Sequence, residues 1–366
     1  MANGRKAQHR SHSLEWLFCL LAVLALAGCG EKDDRGDAVR LSGATMATTW
    51  NVTYFESTAS PSPEEVHSAI QAELDGVNES MSTYREDSEI TRFNNEQAPG
   101  NAYSVSPGFG SVLAAALDIG TASDGALDIT VGPLVDLWGF GAAGDIVTPP
   151  SSEAIASAQG RVGQESLVFD PKALTLTKLM PVALDVSSLA KGYAVDKVAQ
   201  WLTARGINDY LVEVGGEMRL AGLSPRGTPW RIAIEQPEAG ARSVAGAILL
   251  SDVSVATSGD YRNYFEADGK RYSHTIDPRT GYPVDHDLVS VTVVHPSAMQ
   301  ADAWATAFTV LGTERGRAVA EARSLAVYFI QRGADGFVHS HTPQFARYLE
   351  DAVAGSHEAP AKVNAQ

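Results

Sequence analysis

An α+β fold built on a largely antiparallel sheet is what this sequence predicts, on three observations. The second half of the chain carries short runs of β-forming residues at hairpin spacing, at 211–214, 218–221, 230–234, 247–250 and 253–257. Two more runs, 288–294 and 326–330, enclose one helical stretch. A doubly wound parallel sheet would instead alternate helix and strand throughout. Finally, no P-loop occurs, so that nucleotide-binding signature of parallel α/β folds is absent.

The elements follow in order. Arg5, Lys6 and Arg10 precede an apolar run, 14–26, interrupted only by Glu15 and too short and wrongly flanked for a spanning helix. Leu26-Ala27-Gly28-Cys29 closes it with the cleavage and lipidation pattern of a bacterial lipoprotein. The expectation is a leader over 1–28, a lipid on Cys29, a flexible tether over 29–40, a catalytic domain over 41–352 and a disordered tail over 353–366. An ordinary signal peptide with an incidental cysteine is the alternative. Gly30 in place of aspartate favours the outer membrane, with the protein on the periplasmic side.

Residues 50–55 alternate as a strand, and Ser62-Pro63-Glu64-Glu65 opens a helix running through Ile70 and Leu74. Residues 112–121 form an alanine-rich helix stopped by Ser123-Asp124-Gly125. Residues 174–186 read as a strand or hairpin edge interrupted by Pro181. From Ser188, the apolar face Leu189, Tyr193, Val198 and Leu202 marks a helix ending at Gly206, and 302–311 is a further, buried helix.

The formal charge is −16, and loss of a leader carrying net +2 makes it about −18. So acidic a surface repels phosphate backbones and excludes nucleic acid as an expected partner. Any anionic ligand must be held by local donors or a metal. With the leader gone only Cys29 remains, which excludes an intrachain disulfide and a thiolate metal cage.

Three segments carry candidate chemistry. Ser273-His274-Thr275-Ile276-Asp277-Pro278-Arg279-Thr280-Gly281 places a histidine, a candidate base, before a tight Asp-Pro-x-Thr-Gly turn. Asp302 and Thr306 lie four apart on one face of an apolar helix, two hard oxygens that suit Mg²⁺. Asp302 as an N-cap is the bland alternative. Asp185-Val186-Ser187-Ser188-Leu189-Ala190-Lys191 feeds a helix N-terminus, where Ser187 or Ser188 can cap and Lys191 can reach a phosphate or pair with Asp185. Glycines in Val214-Gly215-Gly216-Glu217 and Ser258-Gly259-Asp260-Tyr261 allow close backbone approach to a ligand.

Together with Met81-Ser82-Thr83-Tyr84, Asp87-Ser88-Glu89-Ile90-Thr91-Arg92-Phe93-Asn94 and Gly125-Ala126-Leu127-Asp128-Ile129-Thr130-Val131-Gly132-Pro133-Leu134, these segments resemble the ApbE family of FAD:protein FMN transferases. The resemblance runs from about residue 43 to about residue 349. It implies two lobes with a flavin site in the cleft between them, lined by Met46, Tyr84, Ala126, Leu127, Asp128, Asp185, Lys191 and Ile276. It also implies Mg²⁺ held near Ser188 and by Asp302 and Thr306, FAD as substrate, and His274 as the base. Some relatives carry a further acidic residue where this chain has Ala305, which leaves the number of ions open. The implied partner is an exported electron-transfer protein that offers a threonine or serine hydroxyl. Ser42-Gly43-Ala44-Thr45 itself resembles the acceptor sequence such enzymes modify, which raises self-modification at Thr45. Two alternatives stay open: hydrolysis of FAD to FMN and AMP, and a non-catalytic FAD-binding lipoprotein.

Overall fold

The computed structural model describes residues 38–56, 60–96, 98–142, 148–237, 243–259, 264–267 and 269–350. The leader, Cys29, the tail and most of the expected tether lie outside them. Residues 38–40 of that tether belong instead to the first strand, β1 (Ala38–Thr45). It pairs with β2 (Thr48–Phe55) through a two-residue turn at Met46 and Ala47. Both turn residues have positive φ, 48° and 55°, the left-handed pair a tight hairpin demands, here without the usual Asn-Gly.

Eight strands form one sheet in the order β1, β2, β6 (Tyr210–Val214), β7 (Glu217–Ala221), β10 (Val253–Gly259), β15 (Leu288–His295), β16 (Ala326–Gly333), β17 (Gly336–His341). Every neighbour pair is antiparallel, so the α+β expectation holds. β15 is buried along seven of its eight residues because the sheet is covered on both faces. Its Val291 and Val293 enter the main core, whereas Val289 and Val294 join Trp230, Ile248 and Phe345 in a second one. That second core lies against the hairpin of β8 (Trp230–Gln236) and β9 (Ser243–Leu250).

The main core gathers the helices: α1 (Pro63–Met81), α2 (Glu89–Glu96), α3 (Pro107–Ala122), α6 (Ser187–Thr203) and α7 (Ala298–Ala322). A smaller sheet of β3 (Ala102–Ser104), β4 (Leu167–Asp170) and β5 (Thr175–Lys178) packs beside them; β5 is all that is regular in the strand expected over 174–186. A third core, around Trp138 and Ile276, joins α4 (Gly132–Leu137) and α5 (Ser152–Gln159) to the ribbons of β11 (Tyr264–Ala267) with β12 (Lys270–Ser273) and β13 (Ile276–Asp277) with β14 (Tyr282–Pro283).

Helix α7 begins four residues before the expected start, and its N-cap is Ser297, whose hydroxyl accepts from Gln300 N–H. Asp196 of α6 reinforces that end by accepting from the Ser297 hydroxyl at 2.6 Å and from the Ala298 and Met299 amides at 2.8 and 3.1 Å. The helix is interrupted at Gly312, where φ is 74°, and His286 Nε2 donates to the Thr309 carbonyl nearby at 2.8 Å. Helices α6 and α7 cross at Gly192, where a Cβ would overlap the Ala298 carbonyl. Only glycine permits so close a crossing.

Candidate functional site

The α6–α7 crossing brings Lys191, expected at the flavin site, to Asp302, expected at the metal. Asp185 stands before α6, with its N–H bonded to the Ile129 carbonyl and its Oδ1 accepting from Ser187 N–H at 2.8 Å. That turn does the work expected of a serine cap: Val186 is the N-cap residue and makes no side-chain cap bond. Ser188 and Lys191 lie three apart, and therefore on one face, near the start of the helix. Across the crossing, Asp302 Oδ2 accepts from Gly192 N–H at 3.1 Å and faces Lys191 Nζ at 3.5 Å. Asp302 is the fifth residue of its helix, so it is a buried side chain at a crossing and not a cap. Thr306 follows one turn later, half-buried.

Lys191 does not pair with Asp185. Its second partner is Glu217 Oε1, also at 3.5 Å, a residue that sequence reasoning noted only for the glycines before it. Gly215 and Gly216 turn β6 into β7 with φ of 60° and 106°. A Cβ on Gly215 would crowd Lys191 Cδ and Thr48 Cγ2, so this turn, the lysine and the end of the β1–β2 turn are neighbours. Met46 thereby comes to the same end of the sheet.

Burial sets the electrostatics here. It raises the pKa of Asp302 and pushes that of Glu217 up to about 8, with Lys191 opposing both shifts. Burial also works against the Lys191 ammonium, but the two carboxylates outweigh it and hold that pKa above its usual value. The cluster is a lysine locked in its charged form between two acids that resist sharing a full double charge.

A second group forms on the third core. Tyr84 is 72% exposed and its hydroxyl donates to the Phe140 carbonyl at 3.5 Å. His274 packs edge-on to Phe140, with ring centroids 6.4 Å apart. The Asp-Pro-x-Thr-Gly turn fixes this arrangement. Gly281 N–H bonds the Asp277 carbonyl, Arg279 forks onto the Asp277 carboxylate at 2.8 and 2.7 Å, and Trp138 Nε1 donates to the Gly281 carbonyl at 2.9 Å.

Residues 126–131 join the two groups through the Asp185–Ile129 bond and the Val131–Ala183 bridge. The structure narrows what five of the expected positions can offer. Asp128 accepts from the Thr130 amide, the Thr130 hydroxyl and the Gln164 amide at 2.8, 2.6 and 3.0 Å, so its carboxylate is spent on holding the loop. Burial raises its pKa, and the same hydrogen bonds oppose the rise. The Ala126, Leu127 and Ile276 side chains are buried in the cores, which leaves backbone as what these positions can offer a ligand. Thr45 is also buried, and its hydroxyl accepts from Asn78, so it is no acceptor in the folded chain.

A groove of about 810 Å³ runs along Tyr193, Asp196, Lys197 and Gln200 and contains none of the expected site residues. At 100° per residue those positions face roughly away from Lys191 on α6.

An α+β scaffold with a buried acid–lysine–acid cluster at a helix crossing and an exposed tyrosine beside a histidine is the frame of a group-transfer enzyme. Residues 46–329 match the ApbE family. Among curated proteins, an FAD:protein FMN transferase of Vibrio cholerae is 45% identical over 91% of this chain and 98% of its own length. The Escherichia coli K12 protein of the same name is 39% identical over 90% and 96%. Among solved structures, the flavin transferase ApbE from Vibrio cholerae superposes with a TM-score of 0.81 at 43% identity, covering 86% of this chain and 99% of that one. The apo flavinyl transferase ApbE of Pseudomonas stutzeri gives 0.79 at 41% identity, covering 86% and 97%. The chain belongs to the ApbE family.

Proposed function

We propose that this enzyme transfers FMN from FAD to a threonine or serine hydroxyl of a partner protein, with Mg²⁺ as its assisting ion. The observation that carries the proposal is Asp302 beside Lys191, a buried carboxylate and a charged ammonium together at a helix crossing in an acidic chain. The donor set suits the ion: Asp302, Thr306 and Ser188 are hard oxygens. Among the described residues no group of three His, Cys, Asp or Glu side chains forms a closed metal cage. Mg²⁺ characteristically takes few protein ligands and keeps water and phosphate oxygens. Bound there, it would neutralise the FAD diphosphate and the charge that develops on the departing AMP.

The chain's own residues supply the rest. Lys191 donates to a diphosphate oxygen, and the exposed Tyr84 ring gives the isoalloxazine a flat apolar surface. His274 takes the acceptor's proton on an imidazole nitrogen as that oxygen bonds to the FMN phosphorus. The bond from that phosphorus to the bridging oxygen breaks, and AMP leaves. Holding the hydroxyl in line with that bond is the larger part of the catalysis.

The acceptor we expect is an exported electron-transfer protein, because a phosphoester bond keeps FMN from diffusing away. Anchoring by a lipid on Cys29 at the periplasmic side, preferentially on the outer membrane, is the matching location. A Cys29→Ser variant is then expected to leave the membrane fraction; unchanged retention would refute the anchor. Transfer itself is tested with FAD, MgCl₂ and a threonine-bearing acceptor. Covalent flavin fluorescence on the acceptor supports it. Free FMN alone would make the enzyme a pyrophosphatase, and tight binding without turnover a carrier.

A further inference from the structure

Flavin transfer as proposed engages Lys191 and Asp302 but leaves a third buried charge beside them without a task. Glu217 opens β7 and is 4% exposed. Its Oε1 lies 3.5 Å from Lys191 Nζ, while its Oε2 is buried with no hydrogen-bond partner. A buried carboxylate with an unpaired oxygen is expensive, and a turn needs no acid to form.

The distances suggest its use. An ammonium free to choose one carboxylate closes to about 2.8 Å. Lys191 instead stands 3.5 Å from Glu217 and 3.5 Å from Asp302, shared equally by the two. Asp302 Oδ2 already takes the Gly192 N–H, and its Oδ1 has no hydrogen bond among the described residues. An ammonium collapsed onto Asp302 would compete with a cation for those oxygens.

We infer that Glu217 is a positioning residue for the cation site: it draws Lys191 toward β7, leaving the Asp302 carboxylate to Mg²⁺ and a Lys191 N–H to the diphosphate. The inference rests on the flavin-transfer reading. The test uses the full chain and the metal alone at about pH 9, above the pKa of Glu217, read as the rise in melting temperature with MgCl₂ in the absence of FAD. Glu217→Gln keeps the shape and removes the charge, and the half-saturating Mg²⁺ concentration is expected to rise about tenfold or more. In a Lys191→Met background the same substitution should change nothing, because the competing ammonium is gone. An unshifted Mg²⁺ response in the single variant would overturn the inference. So would an equal shift in the Lys191→Met background, which would make Glu217 a direct ligand. Should Glu217→Gln fail to fold, Lys191→Met alone decides. It must bind Mg²⁺ more tightly than wild type, and weaker binding refutes the competition. A wild-type chain with neither a Mg²⁺-dependent melting shift nor Mg²⁺-dependent FAD cleavage would sink the flavin-transfer reading itself. With wild type responsive and the variants unaltered, only the role of Glu217 falls.

Discussion

Asp302 is where a single side chain tests most. Asp302→Ala removes the only acid on that face of α7, and Mg²⁺-dependent transfer should fall by more than the ~10–100-fold typical of residues that merely support a metal ligand. Stability should drop by about 1–3 kcal/mol, because the Gly192 N–H and the Lys191 ammonium each lose a partner. Metal-independent turnover in a badly destabilised variant would show the carboxylate to be structural. His274→Asn is expected to slow transfer much more than it weakens FAD binding, measured as initial rate against flavin fluorescence; equal losses would demote His274 to packing against Phe140. At this scale the sequence was partly legible. The four-residue spacing of Asp302 and Thr306 and the place of Lys191 one turn into α6 are properties of a helix. Glu217 was not legible, since it meets Lys191 only when a strand turn folds against a helix 26 residues earlier in the chain. The tie of Asp128 to the Gln164 amide was equally hidden, because that partner is remote in sequence.

Among the elements, α7 matters most, since its N-terminus sets the depth of Asp302. Asp196→Ala removes three hydrogen bonds from that end and should cost about 2 kcal/mol in chemical denaturation. It should also weaken the Mg²⁺ response through displacement of the helix. His295 adds a pH dependence. Its Nδ1 lies 3.0 Å from Ser297 N and 3.3 Å from Ser297 O, so the ring can accept from the one or donate to the other. Burial lowers its pKa from 6.5. A base depressed in the folded state contributes stability that is present above its unfolded pKa and is lost as pH falls below it. The melting-temperature advantage of wild type over His295→Gln is therefore expected to shrink between about pH 7 and about pH 5; a constant gap would contradict the lowered pKa. The start of this helix was misplaced in the sequence because its cap is shared: Ser297 is visible as a capping residue, but Asp196 is contributed by another helix.

At the scale of the molecule, fold class was readable and strand order was not. Alternating β-formers identify strands, and the continuous run at 288–294 announces burial on both faces, as β15 shows. Nothing local tells that β10 pairs with β7 across the excursion of β8 and β9. Nor does local pattern reveal that Gly192 is where two helices touch. Gly192→Ala should destabilise the protein by about 1–3 kcal/mol or more through overpacking and degrade the Mg²⁺ response with it. A fully stable variant would mean the crossing has slack.

The measurement that bears most directly on the central claim is mass analysis of a threonine-bearing acceptor protein after incubation with this enzyme, FAD and MgCl₂. Flavin transfer predicts a gain equal to FMN less water on the acceptor and release of AMP, both abolished by chelation and by Asp302→Ala. An unmodified acceptor beside accumulating free FMN, or modification indifferent to chelation, would contradict it.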